Sequence, residues 1–91
     1  LKLRGDTPAV LERLGDTYVE LDNPSMAAET YLKLASIEPR RITPLVKAAR
    51  SQLESGDPAA AAGTCRRGLA TNPENQALLR LLSEATRRVS S

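Results

Sequence analysis

Several small and apolar residues of this 91-residue chain recur at a spacing of 34 positions. The recurring residues are Leu14, Ala48 and Leu82 in one register, Ala27 and Ala61 in a second, and Pro39 and Pro73 in a third. A fixed period of this length is typical of stacked helix–turn–helix repeats, in which each repeat buries its apolar face against its neighbours. We therefore expect an all-α chain of antiparallel helix pairs whose role is to present a binding surface.

The prolines mark where the helices begin. Five of the six follow a residue whose side chain can accept a hydrogen bond from a first helical turn: Thr7-Pro8, Asn23-Pro24, Thr43-Pro44, Asp57-Pro58 and Asn72-Pro73. Proline loses nothing at the next position, because its missing N–H would have no partner there. Together with apolar residues spaced three or four apart, these pairs predict about five helices, at 8–21, 24–37, 43–55, 58–71 and 75–89.

The composition suits close-packed helices and offers little for catalysis. Tyr18 and Tyr31 are the only aromatic residues, so Ala and Leu must supply most of the core, and both tyrosines fall on core positions. Histidine, the commonest general base and transition-metal ligand, is absent. The sequence also has no glycine-rich phosphate loop and no paired-cysteine motif. We expect no enzyme activity, no metal and no cofactor in these residues.

Charge and cysteine content are those of an ordinary soluble chain. The net charge is only +2, and no apolar run approaches the roughly 18 residues that a membrane span needs. Cys65, the one cysteine, cannot form an internal disulfide, and its alanine-rich surroundings predict burial. With no export signal visible, we expect a cytoplasmic protein that neither inserts into membranes nor binds nucleic acid.

Residues 8–41 resemble a tetratricopeptide repeat. The matching residues are Leu11, Leu14-Gly15, Tyr18, Ala27, Tyr31 and Pro39, with the small residue near the end of the second helix displaced by one to Ala35. Residues 42–75 match more loosely, at Leu45, Ala48-Ala49, Gly56-Asp57, Ala61, Cys65, Gly68 and Pro73. Gly15 and Ala49 would let the two helices of a repeat approach closely. Gln52 stands where the family has tyrosine, so the second repeat should pack with less side-chain volume.

The resemblance implies an α-α superhelix with a defined organisation. Residues 76–91 look like the extra C-terminal helix that covers the last repeat, with a polar outer side. Residues 1–7 look like the remnant of a preceding repeat, in which Leu1 and Leu3 end its second helix. We therefore expect a fragment of a longer array.

In this family the first helices of the repeats line a concave groove that holds a peptide or a partner helix. The corresponding residues here are Glu12, Asp16 and Glu20 from the first repeat, Val46, Lys47, Arg50 and Leu53 from the second, and Arg80 and Arg87 from the last helix. Val19 and Glu54 are also expected to face this groove. The residues Glu12, Asp16 and Glu20 are four apart, so their carboxylates share one helix face and repel one another unless something compensates.

The charge pattern leaves three interpretations open. The acidic strip could recognise Lys or Arg on a ligand. Alternatively, Lys47 and Arg50 on the adjacent helix could already neutralise it, which is the usual situation for a solvated charged face. Arg50, Arg80 and Arg87 offer the opposite option, a patch for an acidic peptide.

The leading expectation for function is a protein–protein interaction module that binds a peptide or helix in the groove. The alternative is a structural spacer or self-association segment of a longer superhelix, with contacts through Leu1 and Leu3 or through the Leu81 side of the last helix. RNA binding is disfavoured, because no aromatic residue is expected on the groove to stack with bases.

Overall fold

The computed structural model describes residues 7–90, and its regular structure within them is entirely helical. The five helices are α1 (Pro8–Glu20), α2 (Pro24–Ile37), α3 (Thr43–Glu54), α4 (Pro58–Thr71) and α5 (Gln76–Ser90). Each helix packs against the next, and α3 also contacts α5. The prediction of an all-α fold with about five helices is confirmed, with helix ends within one residue of those expected. The predicted remnant of a preceding repeat, with Leu1 and Leu3, lies outside the described residues except for Thr7.

Side-chain caps begin four of the five helices. Thr7, Asn23 and Asp57 accept hydrogen bonds from backbone amides three residues later, at 3.4, 3.3 and 3.2 Å. Asn75 does the same for α5, accepting from the Leu78 amide at 2.9 Å. Each bond satisfies one of the N–H groups that a first helical turn leaves without a partner.

Two of the five predicted caps are wrong. The residue before α3 is Ile42, which makes no side-chain cap bond, and Thr43 already belongs to the helix. Asn72 ends α4, and its carbonyl accepts the Asn75 amide at 3.1 Å across a turn. Proline is favoured at the second position of such a turn as well as at the start of a helix, so the Asn72-Pro73 pair alone does not distinguish the two.

The turns after α1 and α3 reverse the chain in the same way. Asp22 has a φ of 59° and Gly56 a φ of 85°, and the two residues stand 34 positions apart. A left-handed residue just beyond a helix end is a common C-terminal stop, for which glycine is best suited because it has no Cβ. The two turns therefore return α2 beside α1 and α4 beside α3 as antiparallel pairs.

Small residues let the helices approach closely. Ala27, Ala48 and Ala61 have no exposed surface. A Cβ atom added at Gly15 of α1 would lie 2.5 Å from Cε1 of Tyr31 in α2, well inside van der Waals contact. The predicted close approach of α1 and α2 at Gly15 is therefore confirmed, and the residue it accommodates is a tyrosine ring.

The core of the second helix pair contains a buried polar contact. Cys65 is fully buried, as predicted, in a cluster with Ala49 and Leu78, and burial raises the pKa of its thiol. Gln52 is also buried, and its side-chain oxygen accepts a 2.7 Å hydrogen bond from the Thr64 hydroxyl. A hydrogen-bonded polar pair thus lies in a part of the core where the family resemblance predicts a tyrosine.

The last helix covers the inner faces of α3 and α4. Leu78 and Ala85 have no exposed surface, whereas Arg87 lies on the polar outer side. Arg88 reaches across to α3, where its Nη1 donates to the carbonyl of Leu53 at 3.3 Å. No helix within residues 7–90 combines the length and the apolar character needed to span a lipid bilayer.

Candidate functional site

A pocket with a volume of about 370 Å³ opens between α1 and α3. Its charged lining residues are Asp16 and Glu20 from α1 and Lys47, Arg50 and Glu54 from α3. The other described residues of the lining are Val19, Tyr31 and Ser51. Two neighbouring helices therefore contribute charges of both signs around a partly apolar surface.

The contact between Gly15 and Tyr31 sets one wall of this pocket. Because Gly15 has no side chain, the Tyr31 ring can pack against α1 and is only 2% exposed. Its phenol oxygen donates a hydrogen bond to Oδ1 of Asp16, the residue next to the glycine. The close packing of α1 and α2 thus places a hydroxyl against a carboxylate at the surface.

Lys47 joins α3 to the acidic side chains of α1. Its Nζ lies 3.3 Å from Oε2 of Glu12 and 3.2 Å from Oδ1 of Asp16, and 5.4 Å from the centre of the Tyr31 ring. Arg41, just before α3, adds a second cation, with Nη1 3.2 Å from Oε1 of Glu12. The first two carboxylates of the acidic strip are therefore neutralised within the chain.

These contacts fix the protonation states around the pocket. The hydrogen bond from Tyr31 and the bond from Lys47 lower the pKa of Asp16, against an opposing effect of burial. The hydrogen bond from Arg41, followed by that from Lys47, lowers the pKa of Glu12. Burial, together with the neighbouring Asp16 carboxylate, raises the pKa of Tyr31 far above its usual range. At neutral pH the carboxylates are ionised and the phenol remains a donor.

Other polar groups of the pocket have no partner in the described part of the chain. Glu20, Arg50 and Glu54 line it without forming a hydrogen bond or an ion pair with any residue between 7 and 90. Ser51 is 2% exposed, yet its hydroxyl makes no hydrogen bond with these residues either. The unpartnered groups are thus two carboxylates, one guanidinium and the hydroxyl of Ser51, whose oxygen keeps some exposure because no fully buried side-chain oxygen of the described residues lacks a partner.

Four of the nine residues predicted for the groove lie together in this pocket: Asp16, Glu20, Lys47 and Arg50. Glu12 lies one turn before Asp16 and is joined to the same network through Lys47. Of the two cations considered as internal partners of the acidic strip, Lys47 takes that role. Arg50 does not, among the described residues.

The remaining predicted groove residues lie elsewhere. Leu53 is 6% exposed and packs in the core with residues of α4 and α5, so its side chain is not available to a ligand. Val46 is half-buried against the cluster around Cys65. Arg80 and Arg87 are exposed on α5 away from the pocket, and Arg87 pairs with the glutamate three residues before it.

The sequence did not single out two of the pocket residues. Tyr31 was assigned to the core alone, and Ser51 was not considered at all. The glycine next to Asp16 could have indicated the role of Tyr31, because a large residue that faces Gly15 from α2 would reach the Asp16 carboxylate. No sequence pattern identifies Ser51 as a pocket residue, because its place in the pocket depends on which side of α3 faces α1.

The arrangement is suited to binding through charge and hydrogen bonds. Within residues 7–90, no group of His, Cys, Asp and Glu side chains is placed to hold a metal ion. No protein-family model matches the sequence, and a search of curated proteins finds no match.

Proposed function

We propose that this chain is a protein-interaction module of the tetratricopeptide-repeat type, which binds an extended peptide or a helix of a partner protein in the pocket between α1 and α3. The observation that carries the proposal is the pocket itself. Polar groups from two helices converge there around Val19 and Tyr31, and several of them have no partner within the described residues. Unpartnered polar groups beside an apolar surface are what a ligand needs for orientation and specificity.

The rigidity of the pocket supports the same proposal. Tyr31 and Lys47 are both held by Asp16, so one wall is fixed before any ligand arrives. A preformed surface loses little conformational entropy on binding. Little movement of the helices is therefore needed for binding.

Residues at equivalent positions of the two helix pairs are buried to the same extent, which supports the repeat assignment. Positions 34 apart share environments: Ala27 and Ala61 are both fully buried, and Thr30 and Thr64 are each 6% exposed. In this proposal residues 8–41 and 42–75 are the two repeats, and 76–91 is the C-terminal capping helix. The partner is a protein, the location is cytoplasmic and the module itself catalyses no reaction.

The test is to obstruct the pocket without altering its charges. A random peptide library displayed on phage is selected on the chain, and the best peptides are titrated against wild type and Val19→Trp. Val19 is 44% exposed in the pocket, whereas Val10 on the same helix is 43% exposed outside it, so Val10→Trp is the matched control. We expect Val19→Trp to weaken binding at least about tenfold and Val10→Trp to leave it unchanged. Equal effects of the two would refute the pocket assignment.

A structural spacer or self-association segment is the second candidate, and one observation favours it. Val10 and Leu14 on the outer side of α1 are 43% and 40% exposed, an apolar surface without a neighbour among the described helices. The Leu81 side of the last helix, suggested by the sequence, offers less, because Leu81 packs against the core clusters.

Light scattering over a range of concentrations separates the two candidates. A mass that stays at that of one 9.8 kDa chain up to millimolar concentration is expected for the interaction module. A mass that rises with concentration, and returns to the monomer value in Leu14→Gln, would favour self-association through α1.

A further inference from the structure

The pocket carries an excess of negative charge. Among residues 7–90 its lining includes three carboxylates and two cations, and one of those cations, Lys47, is already bonded to two carboxylates. Arg50 is the only other cation among the described residues that line the pocket. A ligand group with a positive charge is therefore favoured by electrostatic complementarity.

The two unpartnered carboxylates stand at helix ends that add to this charge. Glu20 is the last residue of α1 and Glu54 the last residue of α3, and neither helix has a basic residue in its own last turn. The C-terminal end of a helix carries a partial negative charge from its free carbonyl groups. Arg88 reaches the Leu53 carbonyl at the end of α3 from another helix, but it leaves Glu54 without a partner.

Ser51 supplies an independent indication of a ligand. It lies one turn after Lys47 in the pocket lining, it is 98% buried (2% exposed), and its hydroxyl has no hydrogen-bond partner among residues 7–90. No fully buried side-chain oxygen among these residues lacks a partner, so the Ser51 oxygen is open to the pocket and can bond with a ligand donor. Its oxygen can accept from an ammonium or guanidinium group.

Resting on the proposed function, we infer that the pocket binds a basic side chain, Lys or Arg, of the partner protein. The cation lies between the carboxylates of Glu20 and Glu54, and Ser51 accepts one of its hydrogen bonds. The aliphatic part of the side chain packs on Val19, as the stems of long basic residues commonly do on apolar surface.

Arg50 makes the inference sharply testable. It precedes Glu54 by four residues on α3, but an arginine placed before its acidic partner is the weaker orientation for such a pair on a helix. Its guanidinium would repel a bound cation. Arg50→Gln should therefore strengthen the binding of a basic ligand, whereas a pocket built for an acidic ligand would lose its anchor in the same variant.

The experiment is an NMR titration of the ¹⁵N-labelled chain with three capped tripeptides. Their central residues are lysine, norleucine and glutamate, so norleucine keeps the aliphatic stem and removes the charge. We expect the lysine peptide to shift the backbone amides of Glu20, Ser51 and Glu54, and to bind at least about tenfold more tightly than the norleucine peptide. Raising the salt concentration should weaken this binding.

Variants assign the effect to the pocket. Glu20→Gln and Glu54→Gln should each weaken binding of the lysine peptide severalfold, and Arg50→Gln should strengthen it. Glu29→Gln, on the exposed side of α2 outside the pocket, is the matched control and should change nothing. Tighter binding of the glutamate peptide, lost in Arg50→Gln, would overturn this inference and leave the proposed function standing. Peptides that produce no shift in the pocket at any concentration would overturn both.

Discussion

The two helix pairs fill equivalent positions with different side chains. In α1 and α2 a glycine, Gly15, faces the large ring of Tyr31, whereas 34 residues later Ala49 and Cys65 share a cluster. Each of these residue combinations fills the space between the two helices of its pair. Only the first carries a hydroxyl through the core to a surface carboxylate, Asp16. The choice of packing residues therefore decides which of the two pairs contributes a buried aromatic ring to the pocket.

Charge differs between the pairs at the same positions. Asp16 in α1 corresponds to Arg50 in α3, and Glu12 corresponds to Val46. The acidic face of α1 thus meets a face of α3 that supplies Lys47 and Arg50. One helix neutralises part of the other, and the groups left over are those that a ligand can use.

The largest change in stability is expected when the first helix pair receives the core residue of the second, a cysteine in place of Tyr31. Tyr31→Cys removes a buried ring beside Gly15, and we expect it to lower the free energy of unfolding by about 3 kcal/mol. In that background Gly15→Ala should recover about 1 kcal/mol, because alanine favours the helix and fills part of the cavity. Urea denaturation followed by circular dichroism measures both.

Gly15→Ala should change the free energy of unfolding in opposite directions in the two backgrounds. In the wild-type chain, Gly15→Ala forces its Cβ against the Tyr31 ring and should destabilise by about 1–3 kcal/mol. If the alanine destabilises both backgrounds equally, the complementarity of Gly15 and Tyr31 is not what holds α1 against α2.

A second comparison concerns the two buried threonines. Thr64→Val leaves the buried oxygen of Gln52 without its donor, so we expect a loss of about 2 kcal/mol. The matched variant, Thr30→Val, removes a bond only to the Met26 carbonyl of its own helix, and should change stability by less than about 0.5 kcal/mol. Thermal and urea unfolding of the two variants would reveal the difference; equal losses would mean that the Gln52 contact contributes nothing specific.

The smallest expected change in stability is the one caused by pH through the contact between α1 and α3. The pKa values of Glu12 and Asp16 are lowered in the folded chain, so their contribution is complete above their unfolded pKa values of about 4 and is lost as the pH falls through the lowered values. Because the side chains of Glu12 and Asp16 are 30% and 51% exposed and therefore partly screened by solvent, we expect less than about 1 kcal/mol. Urea titrations between pH 7 and 2 should show a decline below pH 4.

The double variant Glu12→Gln/Asp16→Asn should reduce that decline, whereas Glu29→Gln should retain it. A profile that is the same in all three chains would show that the bonds of Lys47 and Arg41 to α1 do not stabilise the fold.

Most of the fold could be predicted because its signals are local. A capping side chain and a proline are adjacent in sequence, so Thr7, Asn23 and Asp57 correctly marked three helix starts. The cap predicted at Asn72 is wrong because an Asn-Pro pair also suits a turn. The apolar spacing nevertheless placed the start of the last helix to within one residue, at residue 75, where Asn75 provides the cap.

Less of the candidate site could be predicted, because it depends on contacts between helices. Spacing alone placed Glu12, Asp16 and Glu20 on one face of α1, and the pocket includes the last two. Spacing does not determine that Lys47 reaches α1 while Leu53 turns inward. Leu53 turns inward because α4 and α5 pack against α3 and bury it with Ala61, Ala62 and Ala85, whereas Lys47 reaches Glu12 and Asp16 on α1.

The bond from Arg88 to the Leu53 carbonyl has a consequence for how the molecule opens. A guanidinium from the last helix holds the final turn of α3, 35 residues earlier in the chain. We therefore expect fraying of that turn and detachment of α5 to be coupled. In hydrogen-exchange terms, the end of α3 should behave as part of the same cooperative unit as α5.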